Sequence, residues 1–317
     1  MIDINQLATF YYVAKTRSFS LAETYTGFKQ SWMSRQIKDL ETKLGNKLLT
    51  RHHGSVSLTP DGEVFFESAK KIIQEAKIIE TLLNDSHKEP KGKLRIVTSV
   101  ASAYLWLPKY MAGFLEKYPD MRLNIIGSNE NIDLDFHDAD VAIRPYTPES
   151  EHLIHTYLLS YPLKLYASPK YLEKFGIPQT IEDLDHHRII AFSSATKISF
   201  GDVDWHLNIG CKKGVKREPF MQVNSPLGLA TLAQEGLGII SISKFQQATK
   251  GMDLIEVLPD LSGPIIDIYY VYPKELKDFK RITVLGDYLV HMLEQESKLP
   301  NTVVLRRPEI LISSVRK

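Results

Sequence analysis

The chain is short of the residues that most chemistry needs. It has one cysteine, Cys211, in 317 residues. A single thiol excludes an intrachain disulfide framework and a cysteine-based zinc site, and it suits a reducing compartment. No apolar run approaches the roughly 18–20 residues that span a membrane. The start, Met1-Ile2-Asp3-Ile4-Asn5, lacks the basic residues and apolar stretch of a secretion signal. A cytoplasmic protein with no membrane partner is therefore expected. The patterns H-E-x-x-H, G-x-S-x-G and G-x-x-x-x-G-K-[ST] are missing. Gly236-Leu237-Gly238 is half a dinucleotide fingerprint, but it follows a helical stretch and reads as the turn between Glu235 and Ile239. His52-His53 and His186-His187 lack the spacing of metal ligands. Neither an enzyme, nor a metal, nor a cofactor is expected.

Net charge is also scarce, at a formal +1, and announces no polyanionic partner. Its distribution says more. Residues 1–60 hold eight Lys or Arg against four Asp or Glu, so the rest of the chain is slightly acidic. A basic head on a neutral body is the footprint of a small nucleic-acid-binding module. A solvated helical face can carry the same excess. With 43% hydrophobic and 24% charged residues, the chain has the composition of an ordinary globular protein. Its length allows roughly two or three domains of about 100–200 residues.

The head reads as three helices and a hairpin. Leu7, Phe10, Tyr11 and Ala14 fall at i, i+3, i+4, i+7 and give a helix over 5–16 one apolar face. A second helix is expected from Ser20, where Ser20 and Glu23 match a capping box. Gly27 breaks it. A third helix runs from Gln30 to Leu44, buries Met33, Ile37, Leu40 and Leu44, and stops at Gly45. Two short helices across a Gly-containing turn make a helix-turn-helix. The opposite face of the third helix carries Gln30, Ser31, Ser34, Arg35 and Lys38. Gln pairs with adenine, Arg with guanine and Ser with either, while later basic residues meet phosphate. Trp32 either touches a thymine methyl or packs. Arg51, His52, His53 and Gly54, followed by the alternating Val56 and Leu58, read as a wing. Arg51 and His53 would lie against the DNA backbone.

Here the sequence resembles the LysR-type transcriptional regulators. Ser18-Phe19-Ser20, Ala22, Gln30-Ser31-x-Met33-Ser34-Arg35-Gln36-Ile37-Lys38-x-Leu40-Glu41, Leu44-Gly45, Leu48-Leu49, Arg51 and Leu58-Thr59-Pro60-x-Gly62 carry the likeness. It holds without a gap over about sixty residues. Glu23, Thr26, Lys29 and Trp32 depart from the family's usual residues at their positions. The resemblance implies a winged helix-turn-helix over 1–59, a linker helix over 60–88 and an effector domain over 92–297. It implies no enzyme.

Thr59 and Pro60 suit the cap and first position of the linker helix. Phe65, Ala69, Ile72, Ala76, Ile79 and Leu83 then step by 4, 3, 4, 3, 4. A heptad seam wants a partner helix, although a core stripe within one domain has the same spacing. The run His87-Lys88-Glu89-Pro90-Lys91-Gly92-Lys93 reads as a polar hinge after it. The resemblance likewise implies a dimerising helix, and hence a homodimer or homotetramer on double-stranded promoter DNA. Its recognition helices would be spaced by one turn, about 10 bp. RNA polymerase is a further expected partner.

Beyond Gly92 short strands alternate with helices, at Leu94–Thr98, Ser102–Tyr118, Arg122–Ile126 and Asp140–Ile143. That order predicts a parallel sheet. A second set comprises Leu163–Ala167, Arg188–Phe192, Phe220–Val223, a helix over Pro226–Glu235 and Ile239–Ile242. The chain then returns with Ile265–Val271 and a helix over Phe279–Glu296. The expected fold is α/β with two periplasmic-binding-protein-like lobes. Lobe one is 92–161 plus 264–297, lobe two is 162–263, and 298–317 is a tail.

Ligands of such sheets bind at the carboxyl ends of the strands. That rule nominates Thr98, Ser99, Ala101, Ser102, Gly127, Ser128 and Asn129 in lobe one, and Phe192, Ser193, Asn224 and Ser225 in lobe two. For each Ser, capping is the competing role. Arg144 would clamp a carboxylate or pair with Asp138 or Asp140. The effector is expected to be a small, polar, anionic metabolite. The alternatives are a constitutive DNA-binding regulator and a redox-responsive one acting through Cys211, beside Lys212 and Lys213.

Overall fold

The computed structural model describes residues 2–52, 55–84, 89–128, 139–145, 152–193, 202–212, 214–243, 251–261 and 263–299. They fall into two compact units: a head within residues 2–84 and a body within 89–299.

The head contains α1 (Ile4–Thr16), α2 (Phe19–Thr26), α3 (Gln30–Leu44), β1 (Leu49–His52), β2 (Ser55–Leu58) and α4 (Pro60–Asn84). Asp3 caps α1 by accepting from Asn5 N–H. The cap of α2 is Ser18, whose hydroxyl accepts from Leu21 N–H at 3.3 Å. The expected capping box at Ser20 is thus displaced by two residues, because the helix begins at Phe19. Gly27 and Gly45 end α2 and α3 at φ +71° and +74°, where a Cβ would strain the backbone. Thr59 caps α4, accepting from Gly62 N–H at 3.0 Å.

Every residue of the predicted α1 face is buried, with Phe10 wholly so. Met33, Ile37 and Leu40 of α3 complete the core as expected. Leu44 does not: it is 37% exposed. Glu41 takes that side of the helix instead. Its Oε1 accepts from Leu48 N–H (2.9 Å) and Leu49 N–H (3.1 Å), and its Oε2 pairs with Lys47 at 2.8 Å. A carboxylate thereby satisfies the backbone where the chain turns from α3 into β1. β1 and β2 pair antiparallel, with Arg51 opposite Val56. The wing is a hairpin, as the alternation implied.

The body begins with β3 (Gly92–Thr98), α5 (Val100–Leu105), α6 (Leu107–Lys117), β4 (Met121–Gly127) and β5 (Val141–Pro145). It continues with β6 (Leu153–Ala167), α7 (Pro169–Phe175), β7 (Ile190–Phe192), β8 (Met221–Val223) and α8 (Pro226–Gln234). β9 (Ile240–Ser243), β10 (Ile255–Val257), β11 (Ile265–Pro273) and α9 (Lys280–Ser297) complete it. The helix expected over Ser102–Tyr118 is two helices. Trp106 breaks it, since Pro108 just beyond has no N–H to continue the ladder.

β3 pairs in parallel with β4 and with β5, and β7 in parallel with β8. The strands β3, β4 and β5 are thus parallel as expected, and the whole sheet is mixed because β11 joins β5 antiparallel. The long strands β6 and β11 run antiparallel, from Leu153 opposite Pro273 to Pro162 opposite Ile265. Beyond that stretch β6 continues unbroken and pairs with β9 and β10 through residues 163–167. One strand therefore serves both lobes, and the expected boundary between residues 161 and 162 falls inside it. Gly263 stands where the chain re-enters this crossing. A Cβ there would sit 2.6 Å from the Leu163 carbonyl and from the Trp205 ring.

The sheet of lobe one buries Leu94, Ile96, Val141, Ile143 and Tyr270 against α6 and α9. Glu296 of α9 accepts hydrogen bonds from Lys109 (2.7 Å) and Tyr110 (2.8 Å) of α6. A smaller cluster in lobe two packs α8 on β7 and β9, through Leu229, Ala230, Ile190 and Ile240.

Candidate functional site

The outer face of α3 is polar and bare of a cap. Lys29 precedes the helix and makes no side-chain cap bond, whereas Asp3 and Ser18 cap the two helices before it. Trp32 N–H turns back to the Lys29 carbonyl at 3.0 Å, and no side-chain cap serves the N–H groups of Gln30 and Ser31 ahead of it. Gln30, Ser31, Arg35 and Lys38 are exposed and Ser34 is half-buried. Helical periodicity gathers 31, 34, 35 and 38 on one side, opposite Met33, Ile37 and Leu40. Gln30 is tied to the preceding helix: its Nε2 donates to the Ser20 hydroxyl at 3.0 Å.

Trp32 lies to one flank of that face. It is half-buried, and its ring lies tilted against Phe28, with centroids 4.2 Å apart. Of its two readings, the structure supports packing. The turn before α3 is held by Thr26. Its hydroxyl donates to the Ala22 carbonyl at 3.0 Å and accepts from Phe28 N–H at 3.2 Å. Arg51 belongs to β1, but its side chain, and His53 altogether, lie outside the described residues.

The seam of α4 divides in two. Phe65 meets Phe10 edge-on at 5.0 Å, Phe66 stacks on Tyr11 at 5.5 Å, and Ala69 and Ile73 are buried in the head core. Ala69 is wholly enclosed by its own chain, so it offers no surface to a second helix. Ile72 (50% exposed) and Ile79 (47% exposed) project from the head, with the half-buried Ala76 between them. The side chain of Leu83 lies outside the described residues.

In lobe one the nominated residues meet at the carboxyl ends of three neighbouring strands. Thr98 is buried and donates to the Ile143 carbonyl at 2.8 Å, which joins the ends of β3 and β5. Ser99 caps α5: its hydroxyl accepts from Ser102 N–H at 3.0 Å and donates to the Ser102 hydroxyl at 2.9 Å. Ser102 is buried and Ala101 half-buried. Gly127 lets α5 approach β4, since a Cβ would come 3.2 Å from Val100 Cα. Ser128 donates its N–H to the Thr98 carbonyl at 2.8 Å. Asn129 lies outside the described residues, and so does Asp138, one of the two pairing partners weighed for Arg144.

Asp140, the other, is engaged by Arg95, which takes its carboxylate through N–H at 2.8 Å and guanidinium at 3.7 Å. Arg144 is the penultimate residue of β5, opposite Tyr269. Burial, and secondly the charge of Arg144, hold His155 below the usual histidine range.

In lobe two, Phe192 is buried, and Ser193 donates its N–H to the Val223 carbonyl at 3.1 Å. Asn224 is exposed. Ser225 caps α8, accepting from Gly228 N–H at 3.2 Å. Capping is therefore a sufficient reason for Ser99 and Ser225. The fold brings the lobe-one set together at β3, β4 and β5, and the lobe-two set together at β7 and β8.

Sequence reasoning expected two crossings but nominated none of their polar residues. Tyr157 and the Ser160 hydroxyl lie 2.7 Å apart, and Ser160 donates to Asp267 at 2.6 Å. The Tyr269 ring lies 5.7 Å from Tyr157 and 6.3 Å from His155. The alternation of Asp267 and Tyr269 with apolar neighbours in Ile265–Val271 was the available signal. Cys211 is half-buried, with its thiol 3.6 Å from the Leu207 carbonyl. It lines an open depression of about 580 Å³ with His187, Lys212, Lys216 and Arg217. None of the nominated effector residues belongs to that depression.

Comparison with known proteins converges on one family. Residues 4–63 match the bacterial regulatory helix-turn-helix protein, lysR family, and residues 87–294 match the LysR substrate binding domain. The transcriptional regulator CrgA of Neisseria meningitidis is 30% identical over 294 residues, covering 91% of this chain and 96% of its own. An HTH-type transcriptional regulator of Xanthomonas campestris is 29% identical over 297 residues, covering 92% of this chain and 86% of its own. The solved structure of CrgA superposes with a TM-score of 0.57 at 30% identity, covering 90% of this chain and 97% of that one. A full-length Vibrio cholerae regulator, AphB, shares the fold at 23% identity and a TM-score of 0.60. The chain belongs to the LysR family: it is a DNA-binding transcriptional regulator, not an enzyme, with a helix-turn-helix head and an effector-binding body.

Proposed function

We propose that the head reads promoter DNA by laying α3 in the major groove. The observation that carries this reading is the uncapped start of α3 beside an exposed Gln30, Ser31, Arg35 and Lys38. Free N–H groups at a helix start suit a phosphate. Gln30 in the first turn and Arg35 in the second suit adenine and guanine edges. Ser34 and Lys38 follow one turn on, and Arg51 and His53 of the wing would meet the backbone. Trp32 acts through Phe28, by fixing the flank of α3.

Ile72, Ala76, Ile79 and Leu83 of α4 join two chains, so the reading unit is a homodimer. A homotetramer would pair two of these, and RNA polymerase would be met at the promoter. Such a protein works in the cytoplasm. Phe65 and Ala69 support the seam from within each head.

The body takes a small anionic metabolite. The hydroxyls of Thr98, Ser99 and Ser102, the Gly127–Asn129 segment and Arg144 serve it from lobe one. Phe192, Ser193, Asn224 and Ser225 serve it from lobe two. The support is the grouping of hydroxyls, helix starts and one guanidinium at strand ends. An effector acts only through its differential affinity for two arrangements of the regulator. A redox role of Cys211 is less favoured, since its depression holds none of these residues.

Anisotropy titrations on a duplex selected from random DNA test the reading. Arg35→Ala is expected to weaken binding by about 1–3 kcal/mol, and Lys38→Ala to lower the salt slope by about one unit. Ile72→Asp with Ile79→Asp is expected to give monomers in sedimentation. Unchanged affinity in Arg35→Ala removes the base-contact role, and an intact dimer removes the seam.

A further inference from the structure

Ser20 has no capping duty, because Ser18 caps α2. Its hydroxyl instead accepts the Nε2 hydrogen bond of Gln30 at 3.0 Å. The two residues stand on successive helices, and both are exposed. We propose that Ser20 is a positioning residue for sequence reading: it holds the Gln30 amide so that the remaining edge of that amide addresses one adenine. The proposal rests on the reading of α3 as the base-contacting helix.

A glutamine amide offers two N–H donors and one carbonyl acceptor. Bidentate recognition of adenine consumes the carbonyl and one N–H, toward N6 and N7. One N–H remains, and Ser20 takes it. Every donor and the acceptor then has a single partner.

With Nε2 turned to Ser20, Oε1 points away from α2. An unrestrained glutamine would have to be ordered at the moment of binding, and preorganisation removes that cost. In water an exposed hydrogen bond adds little to folding, because solvent replaces it readily. Its value arises when DNA excludes that solvent. A purely structural bond would show the reverse pattern, affecting stability and leaving base preference alone.

The test uses the full chain and duplexes selected from random DNA. The position whose base preference relaxes in Gln30→Ala identifies the base under Gln30. Four duplexes that differ only there are then titrated with the wild type, Ser20→Ala, Ser20→Thr, Gln30→Ala and the double variant. Ser20→Ala is expected to cut the preference for adenine roughly three- to tenfold, within the usual coupling of contacting residues. Ser20→Thr, which keeps the hydroxyl, is expected to restore the preference. In the Gln30→Ala background Ser20→Ala is expected to change nothing, and melting temperature and salt slope are expected to stay constant.

The proposal is overturned if Ser20→Ala weakens all four duplexes equally, acts undiminished without Gln30, or has no effect. It is overturned as well if Gln30→Ala relaxes no position. Should the wild type select no sequence, the reading of α3 fails first and this inference falls with it.

Discussion

The head and the body close their cores by different routes. In the head the partners are near in sequence. α1, α2 and α3 follow one another across short turns, and α4 returns Phe65 and Phe66 onto Phe10 and Tyr11. In the body β6 is the organiser. Its fifteen residues pair with β11 on one side of the crossing and with β9 and β10 on the other. Almost a hundred residues separate partners such as Leu165 and Val257. The head is a local solution to burial, and the body a non-local one. The polar groups of the two units also differ. The head keeps a buried carboxylate, Glu41, that is fully engaged. The body keeps a buried imidazole, His206, with no hydrogen-bond partner for Nδ1 among the described residues.

Three perturbations should separate the units. The largest is Phe10→Ala. Phe10 is wholly buried, and truncating a core phenylalanine costs about 3–5 kcal/mol. Calorimetry should lower the head transition and leave the body transition in place. A common shift of both would mean that the units do not unfold separately.

Next is acid. Burial holds His206 near a pKa of about 4, against roughly 6.5 unfolded. The folded pKa is depressed, so below pH 6.5 the unfolded chain takes up a proton that the fold refuses. Body stability should then fall by about 3 kcal/mol between roughly pH 6.5 and 4. It should level off once the folded imidazole also protonates. The rings of Trp205 and His206 are 6.3 Å apart, so the fluorescence of a variant with Trp32 and Trp106 replaced by Phe follows this region. His206→Leu should flatten the slope over that window. An unchanged slope would assign the acid sensitivity elsewhere.

The smallest is Glu41→Gln in the head. Burial raises the Glu41 pKa, but the bonds from Lys47, Leu48 and Leu49 more than offset it, and the carboxyl lies below its ordinary value. Its contribution is present above the unfolded value of about 4.3 and lost as pH falls through the folded one. The head should therefore hold through the window in which the body weakens. Glu41→Gln should cost the head about 1–3 kcal/mol at neutral pH, and less in acid. Equal costs at both pH values would discount the charge.

The same contrast explains what could be read from the sequence. Helical periodicity over α1 and α3, and glycines at the ends of α2 and α3, made the head legible to within a residue or two. The failures there concern polar side chains with tertiary partners. Ser18 took the cap from Ser20, and Glu41 replaced Leu44 on the buried side. In the body most strands were legible, because βα alternation is local, but β10 and the first ten residues of β6 were not. The antiparallel pairing of β6 with β11 was not. Nothing within Leu153–Ala167 says that one continuous strand will be shared by two lobes. The candidate base-contacting residues were legible, since an amphipathic helix advertises its outer face. The link from Ser20 to Gln30 joins two helices and needed coordinates. At the strand ends, the sequence offered Ser99 and Ser225 but could not separate capping from ligand contact.

The most direct test of the central claim is selection of duplexes from random DNA by the full-length wild type and by Arg35→Ala. The account predicts that the wild type enriches two dyad-related half-sites about 10 bp apart. It also predicts that Arg35→Ala loses preference at one symmetric pair of positions while still binding other bases. Enrichment of the same site with the same affinity by both proteins, or of no site by the wild type, would contradict it.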